Sequence, residues 1–251
     1  MIYDIQKASL WKRFSAYLFD IILIGILAVG VAFLLSSALN YEGNLAARNE
    51  MREQYEAKHG VDFDITQEQY EKLDEQEKEA FDKAYLEFVS DPEVNKADVI
   101  LINLSLIIIS FSLLIAFLLL EFTVPLVLKN GQTLGKKIFG IAIIRVDGVR
   151  VSTFQMFARS ILGKCTIETI LPILLVLLFI FNYMPLVSIV GLFLLAVIQL
   201  LCTSITKLHT PMHELLSATV SVDMASQLIF DTPEALLEYK KNLHAAEVDN
   251  G

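Results

Sequence analysis

The sequence predicts an all-α, polytopic membrane protein. Four transmembrane helices place both termini in the cytoplasm, with a small cytoplasmic β-hairpin and a helical extracytoplasmic insertion. Three observations lead there. Of 251 residues, 55% are hydrophobic, and the mean hydropathy is +0.55. The apolar residues are clumped into runs that reach the roughly 20 residues a bilayer core requires. The basic residues gather beside those runs on flanks that would share one side.

The first region, 1–39, is a short cytoplasmic N-terminus and span 1. Lys7, Lys12 and Arg13 give it a basic start, and Ser36-Ser37-Ala38 resembles a cleavage site. The apolar run Phe14–Leu39 is too long for a signal-peptide core and contains Asp20, so it reads as an uncleaved span. Residues 40–97 hold sixteen Asp and Glu against seven Lys and Arg, a net −9 that equals the formal charge of the whole chain. The remainder is neutral, and nothing in the balance suggests nucleic acid as a partner. Within this segment a helix is expected over 43–58, stopped by Gly60. Thr66-Gln-Glu-Gln69 reads as a capping box opening an amphipathic helix to about Val89, closed by Pro92. A solvated helical hairpin is the plain reading of such an acidic segment. A docking module or a cation-attracting mouth is the sharper one.

Span 2 is expected over 98–128. Segment 129–165 carries Lys129, Lys136, Lys137, Arg145, Arg150, Arg159 and Lys164 against the single acid Asp147, which marks it as cytoplasmic. Asp147-Gly148 between the β-branched runs 141–146 and 149–152 is a hairpin signal. Residues 217–222 are extended in pattern and would add a third strand. Apolar residues at 154, 157, 158, 161 and 162 suit an interfacial amphipathic helix leading into span 3. From Cys165 to Thr206 the only charge is Glu168. A helix over that whole stretch would be roughly 63 Å long, twice a bilayer core. Asn182-Tyr183-Met184-Pro185 breaks it, so 166–206 is a transmembrane hairpin of spans 3 and 4. Residues 207–251 form a cytoplasmic tail, with a last helix opened by Thr232-Pro233-Glu234. Cys165 and Cys202 fall in or beside apolar segments and suggest neither a disulfide framework nor a metal site.

Three separated patterns coincide. The first is Lys12-Arg13-Phe-Ser-Ala-Tyr-Leu-Phe-Asp20. The second is Gly131-Gln132-Thr-Leu-Gly135-Lys136-Lys137-Ile-Phe-Gly140, followed by Asp147-Gly148. The third is His213-Glu214-Leu-Leu-Ser-Ala-Thr219. Together they resemble the RDD family of prokaryotic membrane proteins, named for one arginine and two aspartates. The resemblance covers about 8–39 and 98–223. It implies that Arg13 is the family arginine and Asp20 its first aspartate. Glu214 stands where the second aspartate is matched, a departure that keeps the charge and lengthens the arm. It implies a multi-pass protein of the cell membrane, in a prokaryote the cytoplasmic membrane, with 40–97 an enlarged loop. Some members are associated with sodium/proton exchange, and others look like accessory subunits or regulators.

Asp20 lies ~8 Å inside span 1, and a membrane carboxylate must be paired, protonated or used. Glu121 and Glu168 fall in the same cytoplasmic half, with Arg13, Arg159 and Lys164 near their level and Gln199, Thr203 and Ser204 on span 4. Two readings are open. As an ion or proton site, Asp20 would exchange a proton for Na⁺ or another monovalent cation, with Glu121 or Glu168 as relay and Arg13 setting its pKa. As a clamp, Arg13 or Arg159 would pair with Asp20 and hold helix register. Arg13 and Asp20, seven residues apart, share a helix face. The outer half offers only Asn103, Ser105, Ser110, Ser112 and Ser188, which counts against exchange by a monomer. His209 and His213 have a metal-ligand spacing, but Pro211 intervenes and no third ligand is evident. No motif calls for an enzyme or a cofactor. The partners expected are the lipid bilayer, a monovalent cation, a second copy of the chain or another membrane protein.

Overall fold

A computed structural model describes residues 4–128, 130–205 and 210–249, with side chains as far as His244 and Ala245. The expected positions Lys129, Thr206 and His209 lie outside the described residues. Four helices are long and apolar enough to cross a membrane: Leu10–Ala38 (α1), Pro92–Val127 (α5), Thr153–Ile180 (α7) and Pro185–Ile205 (α8). The first run is one unbroken helix. The chain divides into two compact units, one of residues 1–31 and 112–251, the other of 32–111.

In the smaller unit, Tyr41–His59 (α2) ends at Gly60, whose φ of +67° and N–H to the Glu56 carbonyl make the left-handed stop. The amphipathic stretch after Thr66 is two helices rather than one, Gln67–Glu71 (α3) and Glu75–Ser90 (α4). The cause is a second capping box. Asp74 Oδ1 accepts the Glu77 N–H at 2.8 Å and Glu77 Oε2 accepts the Asp74 N–H at 2.9 Å, which starts a new helix there. Phe63 fills the space against α4, within 5.5–5.7 Å of the rings of Phe81, Tyr85 and Phe88. Arg48 pairs with Asp98 at 3.0 Å, and Tyr55 donates to Asp91. Replacing Asp74 by Ala should destabilise the start of α4 by ~1 kcal/mol. Faster amide exchange at Glu77 and Lys78, with the larger unit unchanged, is the expected readout.

The larger unit is built on Leu134–Ile138 (α6), Ile141–Arg145 (β1), Met212–Leu216 (α9), Thr219–Asp223 (β2) and Pro233–Asp249 (α10), together with residues 10–31 of α1, 112–127 of α5 and all of α7 and α8. β1 and β2 pair antiparallel, with Ile141 opposite Asp223 and Arg145 opposite Thr219. The Asp147-Gly148 turn forms, with Gly148 at φ +92° and the Arg145 N–H on the Val149 carbonyl at 2.8 Å. The partner of β1, however, is 219–223 and not 149–152. Against β1 the second arm makes the isolated Ile144–Arg150 bridge, while its Val149 bridges to Phe230. It has no length to do more, because Ser152 with Gln155 already caps α7. The N-terminal segment runs along the free edge of β2, with the Asp223 N–H on the Gln6 carbonyl and the Ala8 N–H on the Ser221 carbonyl. Ala142, Ile144, Val220 and Val222 form the sheet's core.

The interfacial helix expected before span 3 does not exist as a separate element. It is the first part of α7, which continues without a break to Ile180. Two stretches of the long helices widen to π spacing, Leu118–Thr123 in α5 and Ala158–Ile170 in α7. Thr123, Thr166 and Thr169 each donate a hydroxyl to the carbonyl five residues earlier. Ser160 donates to the Glu121 carbonyl at 2.6 Å, a group that Pro125 cannot serve because it has no N–H. The widened stretches carry Glu121 in α5 and Arg159, Lys164 and Glu168 in α7. An apolar cluster of Ile24, Ala28, Ala116, Phe117, Ile161 and Cys165 packs on the same helices.

Candidate functional site

Asp20 is 5% exposed and has three partners, all from the segment that leads into and through α6. Thr133 Oγ1 donates to its Oδ2 at 2.5 Å, the Gly135 N–H donates to its Oδ1 at 2.8 Å, and Lys136 Nζ lies 3.6 Å away. Thr133 is itself the N-cap of α6, accepting the Lys136 N–H. The carboxylate therefore sits on the start of a short helix where free N–H groups point outward. Gly135 makes this approach possible, because a Cβ there would press into the Ala16 carbonyl and lie 2.9 Å from Asp20 Oδ1.

The other buried carboxylates are engaged as well. Glu121, 2% exposed, pairs with Lys164 and lies 3.9 Å from Lys136. Arg159 reaches three groups: Glu214 Oε1 at 3.0 Å, Thr219 Oγ1 at 2.7 Å and Ser221 Oγ at 3.3 Å. Ser221 donates to Glu214 at 2.5 Å. Glu168 accepts the His213 backbone N–H at 3.0 Å and faces its Nδ1 at 2.8 Å. The expected Arg13–Asp20 and Arg159–Asp20 pairs do not form. Asp20 is taken by α6 and Arg159 by Glu214, and a shared helix face says only where a partner could be. Arg13 makes no salt bridge among the described residues, and its Nε is buried without a hydrogen-bond acceptor.

Burial sets the charges of the groups outside the spans. It brings the Lys136 ammonium down to about 8, against the pull of Glu121 and Asp20. It also lowers His213, with the bond between its Nδ1 and the Glu168 carboxylate opposing. For Glu214, burial would raise the pKa, but Arg159, His213 and the Ser221 hydroxyl together hold it below the ordinary range. Lys7 is lowered by burial and by the nearby charge of Arg13, with Glu214 opposing.

A cavity of about 370 Å³ opens among these groups. Arg13, Lys136, Arg159, Lys164, Glu168, Gln199, His213 and Glu214 line it, with Leu10, Phe14 and Tyr17 at its apolar side. Four of the six expected cluster residues thus meet there: Arg13, Glu168, Arg159 and Gln199. Asp20 and Glu121 are not on its wall; they lie together beside Leu134 and line, with Glu168, a further cavity of about 210 Å³. Gln199 accepts the Met212 N–H at 3.3 Å, which places span 4 against α9. Thr203 and Ser204 are not among the lining residues. Among the described residues, no three His, Cys, Asp or Glu side chains converge as a metal site would require.

The remaining motif positions act through the backbone. Gly131, at φ +62°, packs under Ile143 and Met156, and Gln132 donates to the Ile141 carbonyl at 2.8 Å. Gly140 is at φ +65°. Asp147 belongs to the turn, where it pairs with Arg145 at 2.7 Å. The reasoning from sequence missed Thr133, Ser160 and Ser221 as partners. Thr133 carried a usable signal, since Thr-Leu-Gly-Lys opens a helix with a cap.

A search of family models matches residues 7–217 to the RDD family. No curated protein and no solved structure matches the chain.

Proposed function

The chain belongs to the RDD family and is a multi-pass membrane protein, and from that premise we propose that it is a non-transporting accessory or regulatory protein of the prokaryotic cytoplasmic membrane. In this reading the ionic cluster is a lock that joins the small sheet and its short helices to the spans. The observation that carries it is the state of Asp20. Its two oxygens are occupied by Thr133 Oγ1 and the Gly135 N–H, with Lys136 beside them, which leaves little capacity to bind and release a cation. A partner, whether another membrane protein or a second copy of the chain, would be met through the acidic segment 40–97 or the small sheet.

A second reading has its own support. Glu168 and Tyr17 line the 370 Å³ cavity and also two further cavities of 210 and 360 Å³. If the protein exchanges cations for protons, the exchanging group is the Glu168–His213 pair, since Glu168 lines all three cavities, whereas Asp20 lines only the 210 Å³ one and has both oxygens engaged.

The test is Na⁺-driven proton flux in proteoliposomes, read beside thermal melting. The lock predicts no flux in the wild type. It also predicts that Asp20→Asn, which turns an amide N–H₂ or a single carbonyl towards two donors, loses stability by ~1–3 kcal/mol. Flux in the wild type that vanishes in folded Glu168→Gln would establish the exchanger. Flux that vanishes in folded Asp20→Asn, with the melting temperature unchanged, would refute the lock.

A further inference from the structure

Three residues on the wall of the 370 Å³ cavity carry a buried polar atom that the protein leaves unserved. Arg13 Nε and Arg159 Nε are donors without an acceptor, and Glu214 Oε2 is an acceptor without a donor. Such atoms are uncommon, because an unmade buried hydrogen bond is expensive, and they ask for a complementary group. The other charges on the wall are already committed. Arg159 holds Glu214 Oε1, Lys164 holds Glu121, Lys136 lies between Asp20 and Glu121, and His213 holds Glu168. Among the described residues of the wall, Arg13 is the cation without an ion pair, and its charge acts on the ammonium of Lys7.

The position of the cavity adds a second constraint. Arg13 is in the first turn of α1, where a span that begins at Leu10 meets the headgroup level. Leu10 and Phe14 line the cavity and are largely exposed, and Trp11 between them is 80% exposed. A ligand seated on Arg13 therefore has an apolar helix face beside it, of the kind that lipid chains cover.

We propose that this cavity is a lipid headgroup site for a phospholipid of the phosphatidylglycerol type, with the phosphate on Arg13 and a headgroup hydroxyl donating to Glu214 Oε2. The unserved atoms of Arg13 and Glu214, a donor and an acceptor on one wall, set that chemistry. A phosphate diester supplies anionic acceptors for a guanidinium, which binds such oxygens through a planar fork. A glycerol headgroup supplies the donor, and its single negative charge suits the spare cation. A choline headgroup has no donor and no net charge, and fails both requirements. The proposal is independent of whether the protein transports anything.

The test measures binding of short-chain phosphatidylglycerol to delipidated, detergent-solubilised full-length protein, by native mass spectrometry and by melting shift. Short-chain phosphatidylcholine and soluble glycerol phosphate are run in parallel. Phosphatidylglycerol should bind at least about tenfold more tightly than either, the range of one charge-assisted interaction. Arg13→Gln should remove that preference. Arg13→Lys, which keeps the charge and loses the fork, should retain part of it and serves if the glutamine variant does not fold. Lys12→Gln, next to Arg13 but paired with Asp223, should keep the full preference. Equal binding of the choline lipid, an unchanged preference in Arg13→Lys, or loss in Lys12→Gln would overturn the site. Glycerol phosphate binding as tightly as the lipid would replace the lipid by a soluble phosphate ester.

Discussion

Arg159→Met is expected to lower stability by ~3–5 kcal/mol, because it leaves the buried Glu214 carboxylate without its cation. The guanidinium is 2% exposed and ties three elements together. It leaves α7, pairs with Glu214 on α9, and donates to Thr219 and Ser221 on β2. Methionine fills much of the volume and supplies none of the donors. The result should appear as a large fall in melting temperature and in the yield of monodisperse protein from detergent. A double variant separates charge from packing. Arg159→Met with Glu214→Leu removes both ions, and a buried pair replaced by apolar side chains is commonly near neutral. Most of the loss should therefore return, as an interaction energy in the double-mutant cycle. If the double variant is as unstable as the single one, Arg159 acts through Thr219 and Ser221 rather than through Glu214.

That cycle concerns a pair that spacing could not have found. The four apolar helices and the capping box at Thr66 were legible because each is a local signal, carried by neighbouring residues of the chain. The glycines of the second motif were legible as a pattern, and Gly131, Gly140 and Gly148 do stand at positive φ. The partners of Asp20 were not legible. A period of 3.6 residues places Arg13 and Asp20 on one face of α1, but which group closes on that face depends on a segment more than a hundred residues later. The π stretches added a second obstacle. Each extra residue in a turn rotates the rest of the helix by roughly 100°, so a face read at regular α spacing is lost beyond Leu118 or Ala158. The hairpin failed for a different reason. The Asp-Gly turn was read correctly, but a turn does not say how long its second arm can be, and Ser152 starts a helix too soon for a strand.

Gly135→Ala should lower stability by an amount on the order of 3 kcal/mol, from overpacking and loosened hydrogen bonds. The added Cβ has no flexible side chain to push aside. It meets the Ala16 carbonyl, part of the α1 backbone, and lies 2.9 Å from Asp20 Oδ1 and 3.0 Å from its Cγ. α6 must then retreat from α1. Retreat lengthens the 2.8 Å Gly135 N–H bond and the 2.5 Å Thr133 bond, the two that hold the Asp20 carboxylate. The comparison that isolates this mechanism is Gly140→Ala, five residues on in the same motif. Gly140 has φ +65° and nothing within 4 Å of a new Cβ, so its cost is the left-handed backbone alone, ~1–2 kcal/mol. Measured by melting under one set of conditions, Gly135→Ala should fall clearly below Gly140→Ala. It should also resemble Asp20→Asn in magnitude, since both act on the same contact. Equal losses at the two glycines would mean that backbone conformation, and not the approach of α6 to α1, is what the motif protects. The lock would then have to rest on the Glu121 and Glu214 pairs without Asp20.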